Sequence, residues 1–208
     1  KEIHINELLK YKPNDKKKKL KIKFINWWSD GLNDFFLNFI RKFIYSNIII
    51  SDNPDILICS VFGDRSNITK YINSNKNIKL KIFFTGEDLH NKYKNYSDHF
   101  MDIIDIAMGF EYIDNPKYIR FPLWLTYINL EEFNIGKESL KFNLLKKFNI
   151  KNKKKFCCIL NNHDKFNTRT EIFNTLNNYK KVDSGGSFKK NIGYNIKSGE
   201  NNKQKWLQ

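Results

Sequence analysis

The sequence has few of the residues that build metal centres and disulfide frameworks. Of its 208 residues, only three are Cys and four are His. No two cysteines have the CxxC spacing of zinc ligands, and the histidines form no cluster along the chain. We therefore expect neither a zinc site nor a disulfide network, and the cysteine usage fits a reducing compartment.

Long apolar runs are also missing. No stretch approaches the roughly 18 consecutive apolar residues that cross a bilayer, and no signal peptide is visible. Because the chain begins with Lys1 rather than Met, an upstream anchor or leader stays open as an alternative.

Arginine is scarce in an otherwise basic chain. The formal net charge is +15, yet only four of the 37 basic residues are Arg. A basic composition admits nucleic acid, an anionic membrane or a phosphorylated small molecule as a partner. Nucleic-acid recognition favours Arg and a basic face with interleaved aromatic residues, and the sequence offers neither. We therefore expect no nucleic-acid partner and take most of the charge as solvated surface.

Short apolar runs alternate with helical patterns along the chain. The clearest helix is predicted over 33–45, where Phe and Ile recur at helical spacing. The predicted strands are 20–26, 48–50, 56–58, 80–84, 103–108 and 156–160, and further helical segments are 67–71, 140–148 and a helix that begins at Thr168. This alternation predicts an α/β fold with a mainly parallel sheet, and the new strand near residue 156 predicts a second domain.

An acidic turn follows one of these strands. Leu80–Phe84 predicts a buried strand, which stops at Thr85-Gly86 and is followed at once by Glu87 and Asp88. Ligands of open α/β sheets bind beyond the carboxyl ends of the strands, and a Gly permits a sharp turn there. Glu87 is therefore a candidate general base at the rim of a crevice, and an acidic surface loop is the alternative.

Arg169 is the second candidate. It lies in the first turn of a predicted helix, for which Thr168 and Glu171 have the spacing of a capping box. A helix N-terminus carries partial positive charge, so an Arg there is unfavourable unless an anion binds, which Arg can do bidentately. A phosphate site and an ordinary surface Arg both remain open on these grounds.

Eight segments in fixed order carry a resemblance to a known family. They are Asn26-Trp27-Trp28, Phe84-Thr85-Gly86-Glu87, Ile106-Ala107-Met108-Gly109-Phe110, Tyr118-Ile119-Arg120-Phe121-Pro122-Leu123, Phe156 to Asn161, Arg169, Tyr179-Lys180-Lys181-Val182-Asp183-Ser184-Gly185-Gly186 and Asn191-Ile192-Gly193-Tyr194. The series resembles glycosyltransferase family ten, the α-1,3/4-fucosyltransferases, and especially their soluble bacterial members. The similarity runs from about Leu20 to the last residue.

The resemblance implies a GT-B-like fold of two Rossmann-like domains. It divides the chain into a basic lead-in (1–19), an N-terminal acceptor-binding domain (20–150), and a linker with the first part of a C-terminal GDP-fucose-binding domain (151–208). It further implies that fucose moves with inversion from GDP-fucose to a hydroxyl of N-acetylglucosamine or glucose in a glycan acceptor. No metal or other cofactor is implied, because GDP-fucose is the donor substrate.

The resemblance also assigns residues. Glu87 falls on the proposed general base of the family's Thr-Gly-Glu motif, and Arg169 falls on an arginine that contacts the nucleotide phosphates. Trp27, Trp28 and Asp30 would lie near the acceptor, although at least one Trp is expected in the core. Asp88 departs from the family, which usually has Asn at this position.

A further family motif, Phe-Glu-Asn followed by a Tyr and a Glu-Lys pair, is expected a few residues beyond Gln208. Residues 1–208 alone are therefore expected to transfer no fucose. The alternative reading is a catalytically inactive, truncated remnant that binds glycans. The expected location is cytoplasmic or membrane-peripheral, or the Golgi lumen if an anchor precedes Lys1, and membrane association stays open.

Overall fold

The computed structural model describes residues 18–31, 34–127, 154–194 and 196. The chain divides into two compact units between Lys141 and Phe142. The predicted helix over 140–148 and the predicted domain boundary at residue 150 lie outside the described residues, as does the greater part of the basic lead-in.

The described part of the first unit is built on a parallel sheet of six strands. The strands are β1 (Leu20–Ile25), β2 (Ile48–Ile50), β3 (Ile56–Cys59), β4 (Leu80–Phe84), β5 (Ile106–Gly109) and β6 (Tyr118–Arg120). Their order across the sheet is β2-β1-β3-β4-β5-β6, and every neighbouring pair is parallel. The predicted α/β class with a mainly parallel sheet is confirmed.

Two helices accompany this sheet, and an aspartate caps each of them. Helix α1 (Phe35–Phe43) begins where Asp34 Oδ1 accepts the Phe36 N–H at 2.8 Å. Helix α2 (Arg65–Ser74) begins where Asp64 Oδ1 accepts the Ser66 N–H at 2.7 Å, and it is longer than the predicted segment 67–71. Such caps satisfy backbone donors that the first helical turn leaves without partners.

Apolar side chains cover both faces of the sheet. On one face, Ile82 and Phe84 join the core cluster that contains the buried stripe of α1. On the other face, Phe83 joins the cluster that contains Ile68 of α2. Burial on both faces explains why the central strands appear in the sequence as continuous apolar runs rather than alternating patterns.

The apolar runs overestimate some strands. The predicted strand over 103–108 begins only at Ile106, because Ile103 and Ile104 form a turn whose N–H groups donate to the carbonyl of Phe100. Ile104 is nevertheless fully buried. An apolar run therefore locates core residues here without locating the start of the strand.

The described part of the second unit is a strand, a helix and a strand. Strand β7 (Cys157–Ile159) pairs in parallel with β8 (Val182–Ser184), and helix α3 (Thr168–Tyr179) connects them. The predicted capping box is wrong: the N-cap Asn167 has φ +60° and makes no side-chain cap hydrogen bond. Asp164 replaces it, since its Oδ2 accepts the Thr170 N–H at 2.7 Å.

Cys59, Cys157 and Cys158 form no disulfide in the described part of the chain. Burial raises the pKa of the Cys59 thiol, which donates to the Ile82 carbonyl oxygen at 3.4 Å.

Within the described ranges, no helix is long and apolar enough to span a bilayer.

An ion pair beside α2 predicts part of the acid dependence of stability. Arg65 Nη1 donates to Asp98 Oδ1 at 2.6 Å and holds the pKa of Asp98 below its ordinary 3.8. The stabilisation by this ion pair is therefore complete above pH 3.8 and disappears as the pH falls through the lowered pKa of Asp98. We expect Asp98→Asn to lower the free energy of unfolding by about 1 kcal/mol or less at neutral pH, since the pair is half-exposed.

Urea denaturation at several pH values tests this expectation. The difference between wild type and Asp98→Asn should shrink as the pH falls below 3.8. Asp114→Asn is the control, because Asp114 is an exposed carboxylate without a hydrogen bond or ion pair to a described residue. A difference that grows towards acid would contradict the assignment.

Candidate functional site at the carboxyl edge of the sheet

The strand order places a topological switch point at one edge of the sheet. Strand β2 lies on one side of β1 and β3 lies on the other, so the connections leave in opposite directions from the carboxyl ends of β1 and β3. Such a switch point is where open α/β sheets bind ligands. The segments that follow β1, β3, β4, β5 and β6 all begin at this edge, because the sheet is parallel.

The segment after β1 separates the two tryptophans. Asn26, at φ +52°, donates from Nδ2 to the Asp64 carbonyl oxygen at 2.8 Å. Trp27 is buried and donates from Nε1 to Asp34 Oδ2 at 2.9 Å. Trp28 stacks on Trp27 at 4.1 Å between ring centroids but is 42% exposed. Trp27 therefore belongs to the core, and only Trp28 presents its ring to solvent.

The Asp34 carboxylate combines two functions. It caps α1 and fixes the indole of Trp27 at the same time. Burial raises the pKa of Asp34, and the hydrogen bonds from Trp27 and Phe36 oppose that shift. The position of the tryptophan pair is thus tied to the start of the helix.

Phe62 extends the exposed aromatic surface. It follows β3, is partly exposed, and meets the Trp28 ring edge-on at 5.9 Å between centroids. We call Trp28 and Phe62 the aromatic platform. Phe84 lies beneath it at 6.0 Å from Trp28 and is fully buried. Asp30 is exposed in the segment after β1 and is not part of the aromatic platform.

The turn after β4 holds Glu87 on a rigid support. Thr85 is buried, its N–H donates to the Met108 carbonyl oxygen at 3.0 Å, and its Oγ1 accepts the Glu87 N–H at 3.0 Å. Gly86 packs against Leu123, where a Cβ would lie 2.7 Å from the Leu123 Cδ1. Any larger residue at position 86 would therefore displace this contact.

The Glu87 side chain is half-buried, and among the described residues its carboxylate has no hydrogen-bond or ion-pair partner. Hydrogen bonding to Tyr93 is the main cause that raises the pKa of Lys92, and the negative charge of Glu87 adds to it. Glu87 is therefore a carboxylate whose lone pairs are available to an incoming proton donor.

Asp88 differs from its neighbour because its oxygens are occupied. The Asn91 side-chain amide and the His90 N–H, the latter at 2.8 Å, donate to its carboxylate. These two hydrogen bonds, the Asn91 bond first, lower the pKa of Asp88. Asp88 shapes the turn, and Glu87 is left as the unpaired acid of this segment.

A second carboxylate after β5 bridges two histidines. Glu111 Oε1 lies 3.0 Å from His90 Nε2, and Glu111 Oε2 lies 2.9 Å from His99 Nε2. His99 is 1% exposed and its Nδ1 has no hydrogen-bond partner among the described residues, whereas the side chain of His90 is 76% exposed. The described residues contain no group of three or more His, Cys, Asp and Glu side chains arranged to hold a metal ion.

Arg169 lies in the second unit, as the second residue of α3. Its Nη1 donates to the His163 carbonyl oxygen at 2.5 Å, and its backbone N–H donates to Asp164 Oδ1 at 3.3 Å. Partial desolvation opposes the shift, but hydrogen bonds from Thr170 and Arg169 lower the pKa of Asp164. An aspartate thus already complements this helix N-terminus, for which the sequence left a phosphate site and an ordinary surface Arg as alternatives.

Sequence reasoning assigned no role to Phe62, Glu111, His90 or His99. Phe62 and Glu111 each follow a strand at the same edge as Glu87, so the rule that located Glu87 would also have located them. The histidines gave no signal, because the four in the chain form no cluster along the sequence. Their pairing with Glu111 depends on the packing of three separate segments.

Comparisons with known proteins agree with this fold. A curated relative, "Alpha-(1,3)-fucosyltransferase FucT" of Helicobacter pylori, is 28% identical over 86% of this chain and 42% of its own length. A crystal structure of an alpha1,3-fucosyltransferase is 24% identical with a TM-score of 0.57, covering 91% of this chain and 61% of that one. A structure of an alpha1,3-fucosyltransferase with GDP-fucose is 23% identical with a TM-score of 0.52 and also 61% covered.

The chain thus spans less than two thirds of the length of each of these relatives. The structural similarity confirms the predicted GT-B-like α/β class. The family model described as "Alpha-(1,3)-fucosyltransferase FucT N-terminal domain" matches residues 22–127, which hold the whole switch-point edge and Glu87. By this match over half of its residues, the chain belongs to the FucT N-terminal domain family of alpha-(1,3)-fucosyltransferases.

Proposed function

We propose that the protein is an inverting α-1,3/4-fucosyltransferase of glycosyltransferase family ten. It moves fucose from GDP-fucose to a hydroxyl of N-acetylglucosamine or glucose in a glycan. The observation that carries the proposal is the unpaired carboxylate of Glu87 on a rigid turn at the switch-point edge of the sheet. Family membership and the relative in complex with GDP-fucose support it.

Glu87 is the general base of the proposed reaction. Its carboxylate takes the proton of the acceptor hydroxyl as that oxygen bonds to the anomeric carbon of fucose. The bond from that carbon to the phosphate oxygen breaks on the opposite face, and GDP leaves with the electron pair. The Glu87 carboxylate has no hydrogen-bond partner among the described residues, and the bond from the Glu87 backbone N–H to Thr85 Oγ1 holds the turn, so this carboxylate is suited to the proton transfer.

The aromatic platform is the proposed acceptor surface. Sugars present apolar C–H faces that pack on aromatic rings, and the exposed Trp28 ring is supported from below by Trp27 and Phe84. Asp30 follows in the same segment and would contribute a polar contact. Trp27 would act only indirectly, by holding Trp28 in place.

Arg169 is the proposed contact to the donor phosphates. Because the Asp164 carboxylate occupies two backbone donors in the first turn of α3, the charged guanidinium rather than the helix N-terminus would meet the phosphate. In this proposal Arg169, without a metal, stabilises the charge of the departing GDP.

A donor and acceptor screen with the full-length gene product tests the proposal. We expect transfer from GDP-fucose alone among several GDP- and UDP-sugars. NMR of the product should show the anomeric configuration opposite to that of the donor. Glycan binding without transfer from any donor would favour the inactive remnant, and transfer of a different sugar would refute the proposed donor.

Arg169→Ala should weaken GDP-fucose binding by about tenfold, because charge-assisted hydrogen bonds to phosphate are lost. Acceptor affinity should change little. Calorimetric titration of the full-length gene product with GDP-fucose, and separately with the acceptor glycan, measures both. Arg41→Ala is the control, since Arg41 is an exposed arginine whose side chain, among the described residues, bonds only Asn38 Oδ1, at 3.1 Å. Equal losses for donor and acceptor would refute the phosphate contact.

A further inference from the structure

Three anchors fix the segment that carries Glu87, which we call the Glu87 loop (residues 85–93). The first is the Thr85 hydroxyl, which accepts the Glu87 N–H. The second is Leu89, which is fully buried in the core cluster on the α2 face. The third is His90, whose Nε2 lies 3.0 Å from Glu111 Oε1.

Glu111 is itself held in place from within the core. Its backbone N–H donates to the Tyr118 Oη at 3.1 Å, and its Oε2 accepts from the buried His99 Nε2 at 2.9 Å. The His99 ring meets the Tyr118 ring edge-on at 5.0 Å between centroids. One carboxylate oxygen is therefore committed to the core, and the other faces the Glu87 loop.

We propose that Glu111 is a positioning residue that fixes the Glu87 loop through His90. The inference rests on the proposed function, because its catalytic consequence requires Glu87 to be the base. An ionised carboxylate only accepts hydrogen bonds, so both imidazoles donate their Nε2–H to it. His90 lies three residues after Glu87 in the chain. Loss of its bond to Glu111 therefore frees the loop on the C-terminal side of Glu87.

Four variants separate this role from general stability. Glu111→Gln leaves one oxygen to accept, and the second imidazole then meets an amide N–H donor, whose hydrogen bond it can accept only after moving its own proton to Nδ1. His90→Ala removes the donor at an exposed position and leaves the core intact, whereas His90→Gln keeps a side-chain N–H donor. Asp114→Asn is the matched control, because it removes a carboxylate from the same connection without a described partner.

Hydrogen–deuterium exchange of the full-length gene product is the first readout. Glu111→Gln and His90→Ala should raise amide exchange in residues 85–93 by about threefold to fivefold, since an exposed pair contributes about 1 kcal/mol or less. His90→Gln should restore most of the protection, and Asp114→Asn should leave it unchanged. Unchanged exchange in both Glu111→Gln and His90→Ala would overturn the proposal.

Steady-state kinetics is the second readout. Both loosening variants should lower kcat by about tenfold, since a misplaced base costs rate rather than ground-state binding. The KM for GDP-fucose should stay near that of the wild type. If Glu87→Gln inactivates the enzyme, but Glu111→Gln and His90→Ala loosen the loop without changing kcat, the positioning role alone is overturned. An active Glu87→Gln variant would instead refute the proposed function, and exchange would still decide whether Glu111 anchors the loop.

Discussion

Glu87→Gln is expected to reduce fucosyl transfer by about a hundredfold to ten-thousandfold, the usual contribution of a positioned general base. Gln keeps the size of the side chain but cannot take the acceptor proton. The turn should survive, because its hydrogen bond to Thr85 uses the backbone N–H of residue 87. GDP binding should therefore be nearly unchanged, and a comparison of kcat with calorimetric GDP affinity in the full-length gene product measures both.

Asp88→Asn is the matched control for this substitution. The Asp88 carboxylate accepts hydrogen bonds from its own loop, one of them from the His90 N–H at 2.8 Å. Asn retains an acceptor oxygen for that bond, so transfer should fall by less than about threefold. If Glu87→Gln had no larger effect than Asp88→Asn, Glu87 would be an ordinary loop residue.

Phe84→Ala is expected to destabilise the first unit by about 3–5 kcal/mol, the range for deletion of a buried aromatic ring. Phe84 has no exposed surface and meets the rings of Phe36 and Phe121 at 4.8 and 5.8 Å between centroids. It also supports the aromatic platform, since its ring lies 6.0 Å from Trp28. Removing it leaves a cavity beneath the platform that the surrounding rings can fill only partly.

Denaturant unfolding followed by tryptophan fluorescence measures this loss. Phe110→Ala is the control, because Phe110 follows β5 at the same edge but is exposed, and its loss should be within about 1 kcal/mol. Phe84→Leu keeps most of the buried volume and should fall between the two. A loss for Phe84→Ala no larger than that for Phe110→Ala would contradict the predicted contribution of the buried Phe84 ring to stability.

Continuous apolar runs predicted the central strands β3 and β4 well because these strands are buried on both faces. Leu80–Phe84 and Ile48–Ile50 agree with the structure to the residue, since a continuous apolar run between turn residues has little else to form. Asp34 and Asp164 were not predicted as caps. Asp164 reaches α3 from four residues before its first helical residue, so no local spacing rule points to it.

The candidate site was predictable where position along a strand decides it. Glu87 could be proposed from the sequence because it follows a strand. Its lack of a partner among the described residues could not be predicted, because that depends on every side chain nearby. The Glu111 bridge is the clearest case. Glu111 links the connection after β5 to His90 and His99. Its carboxylate can bridge them because the buried His99 binds one oxygen and the other oxygen is left for His90.

The parallel pairing of the described sheet also affects how the protein folds. Leu20 pairs with Ile48, and Ile56 pairs with Leu80, so each pairing closes a long loop before it contributes stability. Parallel neighbours cannot be joined by a tight two-residue hairpin, so the sheet lacks a local starting point of that kind. Folding of the first unit should be slow for its size, and its apolar strands remain exposed to other chains until the crossovers close.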